Sequence, residues 1–147
     1  MSTPLHTASA AALPHWMWVG LGGLLGAVAR YALSLRVSAA TAAPSAGLAP
    51  LPWGTLAVNL LGCLAIGLLA GLAVRGDWLG PTLRLFLFTG VLGGFTTFSA
   101  FGLEALTLLL QRQWALALGY VLASVGLGLL AVAAGLWAGG GAAALRH

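Results

Sequence analysis

Charge is what this sequence has least of: Asp and Glu together number 2, Lys and Arg together 6, and charged residues make up only 5% of the chain. A soluble domain carries about a quarter charged residues. With so little charge, this chain cannot clothe a water-exposed fold. Asp77 and Glu104 are the only carboxylates, so there is no acid/base pair and enzyme chemistry lacks its parts. A single cysteine, Cys63, excludes an intramolecular disulfide and leaves no thiol partner for zinc. In mid-helix it reads as a small packing residue. His6, His15 and His147 lie in or beside the tails and have no metal-ligand spacing.

Lysine is absent, and the six basic residues are all arginines scattered along the chain. A formal net charge of +4 therefore does not make a nucleic-acid surface, and anchoring of helix ends at a membrane interface is the better account. The glycine-rich segments lack the Lys and Ser/Thr of a phosphate loop.

What remains is apolar. Hydrophobic residues are 61% of the chain and mean hydropathy is +1.03. A spanning helix needs about 20 mostly apolar residues, and four stretches qualify: 16–35, 53–74, 83–110 and 114–138. The expected fold is an all-α integral membrane protein of four transmembrane helices. Trp16, Trp18, Trp53, Trp78, Trp114 and Trp137 fall at or near the expected ends, where indole rings favour the membrane interface. Residues 1–15 read as a flexible N-terminal tail, since the cationic start of a signal peptide is missing. By composition residues 37–51 are a flexible loop, and residues 139–147, opening with Gly139-Gly140-Gly141, form a C-terminal tail.

Four spans put Arg75, Arg84 and Arg146 on one side of the membrane and Arg36 and Arg112 on the other, with Arg30 just inside that second side. The positive-inside signal nearly vanishes. A chain without that bias can insert in both directions, unless other determinants fix one. Gly22 with Gly26, Cys63 with Gly67 and Gly71, and Ser124 with Gly128 recur at four-residue spacing, which lets helices approach closely in lipid.

Polar groups at membrane depth are few: Thr55 and Asn59 on the second span, Thr96, Thr97 and Ser99 on the third, Tyr120 and Ser124 on the fourth. Thr55 and Asn59 are four apart, as are Tyr120 and Ser124, so each pair shares a helix face. Taken singly, each reads as an interhelical hydrogen bond. Taken together, they are hydrogen-bond donors with no cation at the same depth, which suits a small, strongly hydrated anion.

The run "GGFTTFSAF", Gly93 to Phe101, predicts that the third helix is broken mid-membrane. Adjacent glycines weaken a helix and the hydroxyls compete for its backbone. Unwound backbone at that depth must be buried or line a cavity. Phe98 and Phe101, three apart, lie close on one face, and a ring edge is positive enough to meet an anion. On spacing alone, packing against lipid or core is the favoured reading.

The segments "GGLLGAVARY" (22–31), "GTLAVNLLGC" (54–63) and "GVLGGFTTFSAFGLE" (90–104) resemble the Fluc, or CrcB-like, fluoride channels, a resemblance that spans roughly Trp18 to Leu136. It implies an antiparallel dual-topology homodimer in the cell inner (plasma) membrane, surrounded by lipid, through which fluoride leaves the cytoplasm passively and becomes less toxic. By the same resemblance, Asn59 offers its amide to the ion, Thr55 lies near it, Phe98 and Phe101 supply ring edges, and Tyr120 and Ser124 form a polar track. A structural Na+ on the dimer axis is implied, bound by the backbone carbonyls of Gly93 and Thr96. Arg30 matches an arginine near the aqueous entrance, where it either attracts anions or snorkels to the interface. Glu104 matches an acidic position and is either a pathway residue or an interhelical partner. Ala100 stands where the family often has threonine. Rival readings are a small four-helix proton-coupled exporter, for which the first span lacks a glutamate, and a non-transporting membrane assembly subunit.

Overall fold

In the computed structural model, residues 13–42, 51–76 and 79–141 are described; Asp77, Trp78, the stretch 43–50, most of the N-terminal tail and residues 142–147 lie outside them. Among the described residues, four helices are long and apolar enough to cross a membrane: α1 (His15–Ala40), α2 (Trp53–Arg75), α3 (Pro81–Leu110) and α4 (Trp114–Ala138). No strand occurs among the described residues.

Four boundaries differ from expectation, the first by one residue, since α1 starts at His15 and not at Trp16. α1 does not stop at Leu35 but continues to Ala40, into the expected loop. The sequence Arg36-Val-Ser-Ala-Ala holds neither glycine nor proline, so nothing ends the helix until Thr41, whose N–H bonds back to Val37 O. α2 runs one residue further, to Arg75. α3 begins at Pro81, where proline's fixed φ and missing N–H suit a first helical turn.

The helices touch through small residues. α1 lies along the first half of α3 and α2 along α4. A Cβ at Gly22 would stand 2.5 Å from Phe86 O and 2.9 Å from Gly90 Cα, and Gly26 faces the backbone of Val91 and Phe95. In the other pair, Gly67 faces Val132, Gly71 faces Leu136 and Gly139, and Gly135 faces Leu64 and Leu68. Backbone meets backbone in both seams, which is how helices associate in lipid, where no hydrophobic effect draws them together.

The perimeter is the reverse of a soluble protein's. Leu24, Leu122, Leu129 and Leu130 are more than half exposed, and Trp16, Trp114 and Trp137, at helix ends, are the most open of the described tryptophans. Trp18 instead packs edge-on against Phe86, with ring centroids 6.2 Å apart. Buried apolar residues form a modest cluster of Leu56, Ala105, Leu108, Ala117 and Tyr120 between α2, α3 and α4.

α3 is not uniform. Leu85–Leu92 is π-helical, a form that widens the turn and often accompanies functional segments. One further turn, Gly93–Phe95, ends at Thr96 (φ −84°, ψ 156°) and Thr97 (φ −146°, ψ 115°), both extended. Helix resumes at Phe98. The Thr97 hydroxyl caps the new start by accepting from Ala100 N at 3.3 Å, an N-cap bond to the third helical residue. α3 then closes on Arg112, which has φ 58°.

Candidate functional site

The two extended residues are held from outside their own helix. Asn59 of α2 accepts from Thr97 N at 2.8 Å through Oδ1 and donates from Nδ2 to Thr97 O at 3.0 Å. One side chain thereby satisfies both backbone groups of a residue that helical bonding has released, as buried backbone requires. The second N–H of the same amide is not spent on this pair.

In a continuous helix each N–H bonds the carbonyl four residues back. Thr97 N would serve Gly93 O and Ala100 N would serve Thr96 O. Those two donors go instead to Asn59 Oδ1 and Thr97 Oγ1. The carbonyls of Gly93 and Thr96 are therefore the two that lose their helical donors to side chains.

A cavity of about 370 Å³ opens beside this segment. Six of the expected site residues line it: Asn59, Gly93, Thr96, Phe98, Phe101 and Ser124. Phe98 is 83% exposed and its ring centroid is 5.5 Å from that of Phe101, tilted 42°. Phe101 in turn lies 5.3 Å from Tyr120. The Ser124 hydroxyl is buried with no partner of sound hydrogen-bond geometry, though the Tyr120 hydroxyl one turn away stands close to it.

Thr55 and Tyr120 stand apart from that cavity. Thr55 Oγ1 donates to Glu104 Oε1 at 2.6 Å, and Tyr120 Oη donates to Glu104 Oε2 at 2.7 Å. Thr55 is 7% and Tyr120 1% exposed. Glu104 is thus an interhelical partner, joining α2, α3 and α4 through one carboxylate, and both hydroxyls expected to face an ion spend their protons on it. Sequence reasoning left Glu104 undecided. A signal was there, because Thr97, Phe101 and Glu104 recur at i, i+4 and i+7 and so share one face of the resumed helix.

Arg30 and Thr55 line a second cavity of about 320 Å³, with Ser34, Thr97 and Glu104 also on its wall. Arg30 Nε donates to Gly94 O at 3.1 Å, so the side chain turns inward to the backbone of α3 and does not simply reach for the interface. Ala100 needs no hydroxyl for its bond to Thr97, since it is the Ala100 main-chain N–H that donates.

Four apolar spans packed around a few polar side chains define a multi-pass membrane protein. The chain belongs to the CrcB-like family, whose pattern, described as "CrcB-like protein, Camphor Resistance (CrcB)", matches residues 17–136. A protein of Paracoccus denitrificans named "Fluoride-specific ion channel FluC" is 51% identical over 127 residues, covering 86% of this chain and 94% of its own length. Like-named proteins of Rhizobium meliloti and Sorangium cellulosum are 48% and 40% identical, over 83% and 84% of this chain and 93% of each relative.

Proposed function

We propose that this chain is a fluoride-specific ion channel and no enzyme, working passively as an antiparallel dual-topology homodimer in the plasma membrane. The observation that carries this reading is the extended pair Thr96 and Thr97, clamped by Asn59 and opening on a cavity with Phe98, Phe101 and Ser124. Membrane depth tolerates such backbone only where protein buries it or a cavity meets it.

The donors around the cavity suit fluoride. The free N–H of Asn59, the Ser124 hydroxyl and the positive ring edges of Phe98 and Phe101 can each replace a water of hydration without a fixed cation. The resumed helix points its N-terminus, with the intrahelically unpaired N–H groups of Phe98 and Ser99, toward the same region, which favours an anion. Binding by neutral donors is strong enough to admit the ion and weak enough to release it. Thr55 and Tyr120 are oriented by Glu104, which holds both hydroxyls until an anion competes for them.

What one chain leaves uncovered supports the dimer. Phe98, beside the polar break, is too exposed to enclose a dry ion path alone. A second copy in the opposite orientation would enclose it, and the nearly balanced arginines permit both insertions. The carbonyls of Gly93 and Thr96 fit a structural Na+, because a hard cation takes oxygen ligands and these two oxygens have lost their helical donors. Bound there, with the same oxygens of the second copy, sodium would neutralise the freed ends of both breaks.

The test is fluoride efflux from proteoliposomes of the purified protein, with valinomycin and potassium to balance charge and chloride as control anion. Rapid fluoride efflux without chloride efflux, lost on substituting Phe98→Ile or Asn59→Asp, is expected. A well-folded protein that releases neither ion would overturn the proposal.

A further inference from the structure

We infer that Arg30 is a positioning residue for the interrupted segment of α3, holding the Gly94 peptide so that the neighbouring Gly93 and Thr96 carbonyls stay available as cation ligands. The inference rests on the proposed reading of that segment as ion-binding backbone. It differs from the two roles the sequence allows Arg30, attraction of anions and snorkelling.

Three features carry it. In a continuous helix Gly94 O would receive Phe98 N; with the chain extended at Thr96 and Thr97, it receives Arg30 Nε instead. The carbonyls at the end of the first half-helix carry partial negative charge, which a guanidinium offsets better than a neutral donor. The reach is set by the α1–α3 seam: Gly94 lies against Gly23, a Cβ added at Gly26 would stand 2.8 Å from Phe95 N, and Arg30 follows one turn later. The glycines bring the two backbones so close that an arginine on the next turn meets the helix end through Nε, leaving its four terminal N–H groups for the cavity it shares with Ser34, Thr55 and Glu104.

Lysine cannot duplicate this. Its ammonium lies one bond beyond the Nε position and lacks the planar fork that presents donors to the carbonyl and the cavity from separate nitrogens.

Amide hydrogen exchange on the full-length protein in lipid nanodiscs, followed over 94–100 at rising sodium concentration, decides the matter. Arg30→Gln is expected to speed exchange in this segment by about tenfold or more, the loss of a charged hydrogen bond, and to raise the sodium needed for half-maximal protection by a similar factor. Excess sodium should restore protection. If the glutamine variant is not monodisperse, Arg30→Lys carries the decision, with accelerated exchange again expected. Unchanged exchange in the folded variant, with fluoride efflux lowered only at low ionic strength, would make Arg30 an anion attractor and overturn the inference. Faster exchange with an unmoved sodium requirement would overturn it too, leaving a contact that merely supports the fold. Failure of the channel reading is read separately, as absence of fluoride efflux from the unsubstituted protein.

Discussion

Glu104 shows how one residue changes what its neighbours can do. Its two oxygens take the protons of Thr55 and Tyr120, so each hydroxyl arrives oriented but occupied. Removing one donor leaves a partly buried carboxylate oxygen unsatisfied. Thr55→Val and Tyr120→Phe are each expected to destabilise by about 1–3 kcal/mol, measured by thermal unfolding in detergent. Because they share an acceptor, their effects should be non-additive, and Glu104→Gln should shrink both in a double-mutant cycle. Asn59 is different in kind. Asn59→Asp keeps the acceptor for Thr97 N but replaces the donor with an oxygen facing Thr97 O, so fluoride efflux should fall by at least about tenfold, since repulsion takes the place of a hydrogen bond.

At the scale of the helices, glycine position decides the consequence of a single methyl group. Gly26 and Gly135 sit against the backbone of the partner helix, whereas Gly119 and Gly126 have nothing within reach of an added Cβ. Gly26→Ala and Gly135→Ala push main chain against main chain and should cost about 1–3 kcal/mol or more, read as lost monodispersity and a lower unfolding temperature. Gly126→Ala meets open space and should be neutral or stabilise α4 by up to about 1 kcal/mol. The turn after α3 holds a similar contrast. Arg112 sits at φ 58°, where a side chain costs about 1–2 kcal/mol, and Arg112→Gly should recover part of that.

For the molecule as a whole, the balance of arginines is the quantity to disturb. Tags on the N-terminus should be reached from both faces of the membrane; protection of every terminus on one face would refute the antiparallel dimer. Neutralising Arg36 and Arg112 together should bias insertion toward one orientation and abolish fluoride efflux. Co-expression with a chain neutralised at Arg75 and Arg84 should restore it.

Span number and length were legible because the cost of exposing backbone and charge to lipid forces some 20 apolar residues per crossing, and this chain has four such stretches and little else. Gly22, Gly26, Gly67 and Gly71 announced close packing by their spacing, and the family was legible in three short segments. The helix end at Ala40 was not, since an alanine- and serine-rich composition fits helix and loop alike until a breaker intervenes. Nor were the partners of the polar groups. Periodicity tells which residues share a face, but not which face of another helix meets it. That Asn59 grips Thr97, that Glu104 gathers Thr55 and Tyr120, and that Arg30 turns to Gly94 depend on the rotation and register of packed helices. Those are set by glycine seams elsewhere in the chain, and only the tertiary structure contains them.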